Sequence, residues 1–212
     1  MRPALRNLLI VTAAYVAAQM MSDIASLRIV EVFGFAVDAG TLVYPFTFTI
    51  RDLIHKIAGK SAARTVIVLA AVINLLMAFV FWVTAELPAD LATGPQLEFG
   101  AVLAPVWRIV FASIAAEVLS ELIDTEAYQR WVDRFGPRRQ WGRVLASNAI
   151  SVPVDSAVFV TMAFWGVLPV EVIWEIFWVN VIFKGFVSVV SIPAIYWVRP
   201  APFDVEERHV AK

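Results

Sequence analysis

The 212-residue sequence contains no cysteine and only two histidines. A disulfide framework, a thiolate metal site and a cysteine nucleophile are thereby excluded, and two histidines are too few for a histidine-rich metal site. Charge is also scarce: Asp, Glu, Lys and Arg make up 17% of the chain, against ~25% in an ordinary soluble domain. The net charge of −1 provides no global basic field to attract nucleic acid. No Walker A phosphate loop, HExxH zinc helix or GxSxG elbow occurs, so neither ATP hydrolysis by this chain nor a cofactor finds support in its motifs. What fills the sequence instead is apolar: 60% hydrophobic residues, with eight Trp and fifteen Phe, and a mean hydropathy of +0.76. Too little polar surface is left to cover a soluble core, which excludes a soluble enzyme.

A bilayer core of ~30 Å takes about 20 helical residues to cross. Six runs of roughly that length are present, at 8–30, 40–57, 63–85, 101–125, 144–168 and 171–198. They predict an all-α integral membrane protein, a six-helix bundle forming one membrane domain over 1–212. The first run is longer than the apolar part of a signal peptide, which predicts that it is retained. Lys and Arg accumulate before run one, between runs two and three, between four and five, and after six; these places hold thirteen of the seventeen cations. Because cytoplasmic loops carry that excess, both termini are expected in the cytoplasm. The alternate loops carry Glu31, Asp38, Glu86, Asp90, Glu98 and Glu171 against the single cation Arg28.

Leaving out charges toward the ends of the runs, eight fall inside them: Asp23, Arg51, Asp52, Arg108, Glu117, Glu121, Asp155 and Lys184. Each would cost at least ~2.5 to 3.5 kcal/mol at mid-bilayer, so such groups face a bundle interior or an aqueous cavity. A polar cavity lined by runs one, two, four, five and six is expected, with run three as lipid-facing packing. The alternative is that the charges simply pair to hold the bundle together. Spacing supports a shared face, because Glu117, Glu121, Asp124 and Tyr128 lie on one helical stripe and Ser147, Ser151, Asp155 and Phe159 on another. The segments SELIDTEAY (120–128) and SVPVDSAVF (151–159) also resemble each other, as internal repeats of transporters do. Asp155 and Lys184 both fall near mid-membrane at ~1.5 Å rise per residue, which makes them expected partners. Pro45, Pro105, Pro153 and Pro193 interrupt four runs. His55, at the end of run two, reads as solvated surface.

The segment Tyr44-Pro45-Phe46-Thr47-Phe48, followed by Asp52, Gly59 and Arg64, resembles the second-span signature of the queuosine precursor transporter family, also called the vitamin uptake transporter family. Ala112-Ser113 with Ser120, Glu121, Asp124 and Tyr128 resembles its fourth span. Ser147, Ser151, Asp155, Ser156 and Phe159 resemble its fifth, and Lys184 with Pro193 and Tyr196 its sixth. Departures are Asp23 where the family often has Asn, Lys56 where many members have Glu, and Glu121 where Gln is usual.

The resemblance implies a multi-pass protein of the bacterial inner membrane that takes up 7-cyano-7-deazaguanine or 7-aminomethyl-7-deazaguanine, precursors of a modified tRNA base. Its partners would be that small molecule, the lipid bilayer and a coupling ion, H+ or Na+, or an energising partner. A guanine-like ring offers N–H donors that carboxylates accept, and flat faces that aromatic rings stack on. Asp52, Glu121 and Asp155 are the candidate acceptors, and Phe46, Phe48, Trp107 and Phe159 the candidate stacking rings. Ser151 and Lys184 complete the candidate substrate contacts. Asp23, Arg108, Glu117, Ser120 and Asp124 are candidates for the rest of the cavity wall. Two other readings stay open: a six-helix binding subunit that needs an ATP-hydrolysing partner, and an intramembrane enzyme using its carboxylates as acid and base.

Overall fold

A computed structural model describes residues 3–90, 92–135 and 140–197. Within these stretches the side chains of Asp52, His55, Lys56, Lys60, Glu121, Asp124, Tyr128 and Ser147 are among those outside the described set. So are Arg138 and Arg139 of the loop between runs four and five, and Arg199, Arg208 and Lys212 at the C-terminal end. The chain runs α1 (Pro3–Ala25), β1 (Ile29–Val32), β2 (Phe35–Asp38), a 3-10 turn (Ala39–Leu42), α2 (Tyr44–Glu86), α3 (Leu97–Leu103), α4 (Val106–Phe135), α5 (Gln140–Phe164) and α6 (Val170–Trp197). Four stretches among the described residues, Leu5–Ala25, Ser61–Glu86, Leu97–Ser120 and Val170–Val190, are long and apolar enough to cross a membrane, and Asn148–Phe164 is a shorter apolar helix. The chain is a mostly helical, multi-pass membrane protein.

Its helices are apolar outside and partly polar inside. On α1, Tyr15, Ala18, Gln19, Ser22 and Asp23 are buried while Leu5, Leu9, Ile10 and Met21 are exposed; the buried set follows the three- and four-residue steps of one helical face. The same steps bury Ile173, Ile176, Asn180 and Lys184 of α6, whose other faces expose Trp174, Trp178, Ile182 and Phe186. The Ser61–Glu86 stretch, run three, exposes Val68, Leu69, Val72, Leu76, Phe79 and Trp82, as expected of a lipid-facing helix. The most extensive helix pairing is between α4 and α5. Ala112 and Ala116 of α4, four residues apart, let it approach Phe159, Val160 and Ala163 of α5, and Ile173 and Ile176 of α6 join the same cluster.

Helix α2 has 43 residues, which as one straight rod would be about 64 Å long, twice the bilayer core. It is broken at Gly59 (φ 84°, ψ 174°), close to the separation expected between runs two and three. That conformation is essentially restricted to glycine. Gly59→Ala is therefore expected to destabilise the protein by about 1 to 3 kcal/mol, read as a lower unfolding temperature in detergent. Pro45 differs from its expected role: it occupies the first turn of α2, where a missing N–H costs nothing, rather than interrupting a span. Pro105 does separate α3 from α4, and Pro153 lies inside α5.

The end of run one is not helical. Helix α1 stops at Ala25, and residues assigned to the end of run one form an antiparallel hairpin, with Ile29 opposite Asp38 and Val32 opposite Phe35. The two-residue loop Phe33-Gly34 has positive φ at both positions, 53° and 83°, the backbone signature of a tight turn whose twist matches the strands. Val32, Val30 and Ile29 are β-branched and favour a pleated strand, which is why the apolar run continues while the helix does not.

Candidate functional site

The hairpin delivers Asp38 to the interior. Its carboxylate is 1% exposed and is surrounded by donors from three elements: Ser26 Oγ donates to Oδ1 at 2.8 Å, the Thr41 backbone N–H to Oδ1 at 3.1 Å, and Asn180 Nδ2 of α6 to Oδ2 at 3.2 Å. The Thr41 hydroxyl lies between Asp38 Oδ2 and Asn180 Oδ1 and has one proton to give to either. Asp38 thus caps the 3-10 turn through the Thr41 N–H while also anchoring α6. The fit requires glycine at position 40: a Cβ there would lie 1.9 Å from Ser26 Oγ and 2.5 Å from the Ser22 carbonyl oxygen. Ser22 Oγ in turn donates to the Gly40 carbonyl at 3.1 Å.

Opposite this shell, Lys184 Nζ donates to Asp155 Oδ2 at 2.6 Å, with both side chains at most 3% exposed. The pairing expected from depth is present. The ammonium also lies over the rings of Tyr44, 4.8 Å from its centroid, and Phe159, 5.8 Å away, so its charge meets a carboxylate and two π faces. Asp155 Oδ1 is buried with no hydrogen-bond partner.

Between the two charged clusters lies a small cavity walled by Ser22, Ser26, Asp38, Thr41, Tyr44, Ser113, Asp155, Phe159, Asn180 and Lys184, with Gly40 and Ala116. The wall draws on α1, the hairpin and turn, the start of α2, α4, α5 and α6, and on none of the Ser61–Glu86 stretch.

Of the residues singled out from sequence, Asp155, Phe159 and Lys184 meet at this wall. Asp23 lies just behind it, its Oδ1 accepting from the wall residue Ser113 at 2.9 Å. Glu117, further along α4, accepts from the Tyr15 hydroxyl at 2.9 Å, and Gln19 Nε2 donates to that hydroxyl at 3.0 Å. Ser151 is buried away from the cavity wall, and Ser120 Oγ donates to the Glu117 carbonyl. Two aromatic expectations are corrected: Phe46 and Trp107 are half exposed on the outer surface, because positions two residues after Tyr44 and one after Val106 turn away from the buried helical face. Phe48 packs edge-on against Tyr44 and under Arg51, so Tyr44 presents its ring to the cavity instead. The Asp52, Glu121 and Asp124 side chains lie outside those described.

Arg108 is also displaced from its expected role. Its Nε donates to the Met162 carbonyl at 3.1 Å and its Nη2 to the Trp165 carbonyl, at the C-terminal end of α5, where the chain turns through Gly166 (φ 76°). A cation there satisfies carbonyls without intrahelical partners and complements the helix dipole. Arg108→Gln is expected to lower stability by about 1.5 to 3 kcal/mol, the worth of hydrogen bonds to a charged group. Substrate affinity, measured at equal amounts of folded protein, is expected to stay unchanged.

Residues 38–198 of the chain match the family model described as "Putative vitamin uptake transporter", beginning at Asp38 itself. The chain belongs to the vitamin uptake transporter family. It is 25% identical over 181 residues to a "Probable queuosine precursor transporter" of Bacillus subtilis (strain 168), covering 84% of this chain and 79% of that one. To the "Queuosine precursor transporter" of Escherichia coli (strain K12) it is 28% identical over 172 residues, covering 80% and 75%. A "Probable queuosine precursor transporter" of Haemophilus influenzae is 26% identical over 169 residues, covering 78% and 69%. No solved structure matches the chain. The cavity wall falls within the family match except for Ser22 and Ser26, which α1 and its exit supply.

The polar wall residues that sequence reasoning missed include Ser22, Ser26, Asp38, Thr41 and Asn180, and Tyr44 entered it only as part of the family signature. A readable signal existed for Asn180, which precedes Lys184 by one helical turn and is flanked by the apolar residues 176–179 and 181–183 of α6. For Asp38 the signal was weaker: an Asp three residues before a Thr is a capping pattern, but nothing local says that the cap is buried.

Proposed function

We propose that this protein takes up 7-deazaguanine precursors of queuosine, 7-cyano-7-deazaguanine or 7-aminomethyl-7-deazaguanine, through the cavity between Asp38 and Asp155. The observation that carries the reading is the free Asp155 Oδ1: a buried carboxylate oxygen with no partner, on the wall of a cavity that also holds the Tyr44 and Phe159 rings. A planar ring with N–H donors on one edge supplies what that oxygen lacks and stacks on such rings. The names carried by the three relatives support the same substrate class.

In this reading the chain crosses the bacterial inner membrane six times as a single membrane domain. The two parts of α2 on either side of Gly59 serve as separate spans, and α3 continues into α4 as one span across Pro105. Both termini face the cytoplasm, in keeping with the positions of the thirteen cations. Asp155, Lys184 and Phe159 are substrate contacts, joined by Tyr44 and Asn180.

The test is queuosine in tRNA. A host unable to make the precursors or import them, expressing this chain and supplied with each base in turn, is expected to recover queuosine with at least one of them. Equal queuosine with and without the chain, at confirmed membrane abundance, removes the proposal.

A further inference from the structure

Asp23 is the one internal carboxylate on α1, within the Leu5–Ala25 span, and it is 1% exposed. Ser113 Oγ donates to its Oδ1 at 2.9 Å. Its Oδ2 is buried with no hydrogen-bond partner. An ionised carboxylate with one oxygen unsatisfied in a low-dielectric interior is costly, and taking up a proton at that oxygen removes the cost. Ionisable groups in membrane spans that face a bundle interior are characteristic of proton pathways.

The groups around Asp23 come from several elements. Glu117 of α4 lies one helical turn after Ser113, the donor to Asp23. Tyr15, two turns earlier on α1, directs its hydroxyl proton to Glu117 and accepts a hydrogen bond from Gln19. Tyr44 at the start of α2 shares the cavity wall with Ser113 and Asp155. Across the cavity, Asp155 is held by Lys184, so that ammonium is committed elsewhere. Ser113 is at once the donor to Asp23 and a residue of the cavity wall, which gives the carboxylate a one-hydroxyl connection to whatever fills the cavity.

We propose that Asp23 is a proton-binding site that couples uptake to the proton gradient, with the Ser113 hydroxyl linking its protonation to occupancy of the cavity. The proton adds to Asp23 Oδ2 on the side where substrate enters and leaves on the side where substrate is released, with no other bond made or broken. A hard metal cation requires a shell of several oxygen ligands, whereas Asp23 presents one free carboxylate oxygen. The inference rests on the transport reading for its cargo, but the proton site itself does not depend on which cargo is carried.

Two experiments separate these. In proteoliposomes containing the purified full chain, labelled 7-cyano-7-deazaguanine, a neutral probe, is expected to accumulate when the outside is acid relative to the inside, and a sodium gradient is expected to have no effect. Asp23→Asn is expected to retain exchange of labelled for unlabelled probe and to lose accumulation, its internal concentration only equalling the external one. Accumulation by Asp23→Asn under the same pH difference, or accumulation by the parent chain that follows sodium, overturns the proposal. Independently of cargo, infrared difference spectra between acid and alkaline buffer are expected to contain a protonated-carboxyl carbonyl band that is missing in Asp23→Asn. A band of equal intensity in both proteins overturns the proton site. A band confined to the parent chain, together with no exchange of either deazaguanine, upholds the site and overturns the transport reading instead.

Discussion

Lys184→Met protein is expected to be less stable than the parent by about 3 to 5 kcal/mol, the cost of leaving a buried charge without its partner. The substitution keeps an unbranched apolar stem over the Tyr44 and Phe159 rings, so the loss is chiefly that of the ammonium that sits 2.6 Å from Asp155 Oδ2. Asp155 would then have two unsatisfied carboxylate oxygens where it now has one. Asp155→Asn alone is expected to be destabilising in the same range, because it leaves the ammonium with only the two rings. The double variant Asp155→Asn with Lys184→Met removes both charges and is expected to be more stable than either single one. Thermal unfolding in detergent and the yield of monodisperse protein report all four species. Losses in the single variants that simply add in the double one would mean that the two residues do not act as a pair.

The second large effect is expected at Gly40. An alanine there places its Cβ 1.9 Å from Ser26 Oγ and 2.5 Å from the Ser22 carbonyl oxygen. The serine side chain can rotate, but its hydroxyl then leaves Asp38 Oδ1, and the backbone oxygen cannot move without shifting the end of α1. Overpacking costs typically about 1 to 3 kcal/mol, and a lost hydrogen bond to a charged group about 1.5 to 3 kcal/mol, so Gly40→Ala is expected to lose roughly 2.5 to 6 kcal/mol of stability. Adding Ser26→Gly removes the nearer clash and is expected to recover part of the folded yield, with the clash against the carbonyl persisting. Parent-like stability of Gly40→Ala would show that the hairpin and α1 are less closely seated than the Ser26–Asp38 hydrogen bond indicates.

The two predictions differ in how far the sequence anticipates them. Asp155 and Lys184 are legible because each is a lone charge deep in an apolar run, and the constant rise of a helix converts position into depth. The break at Gly59 is legible for a similar reason, since two apolar runs flank a short stretch rich in Lys and Gly. Asp38 is not legible as an interior group. It follows an apolar run at the place where a connecting loop is expected, and a short apolar run does not distinguish a helix end from a strand. Its burial depends on the hairpin folding back, and its donors come from residues 26, 41 and 180, a combination no local pattern contains. Arg108 illustrates the converse. A charge inside a run reads as cavity-lining, yet the carbonyls at the end of a neighbouring helix are an equally good destination for it, and only the packing of α4 on α5 decides between them.

The hairpin is fastened to α6 at two places. The Ala36 backbone N–H donates to Glu175 Oε2 at 2.8 Å, and two residues later Asp38 receives Asn180 from the same helix; Leu27, Ile29 and Ala36 also pack on the cluster that contains Ile173 and Ile176. A movement that parted hairpin from helix would break a hydrogen bond at the strand edge, strip a carboxylate of a donor and expose that apolar contact, all at once. The hairpin and the facing part of α6 therefore form one mechanical unit. The buried Lys184–Asp155 pair ties α5 to the same unit, so the hairpin rides with α6 as its passenger instead of swinging as a lid.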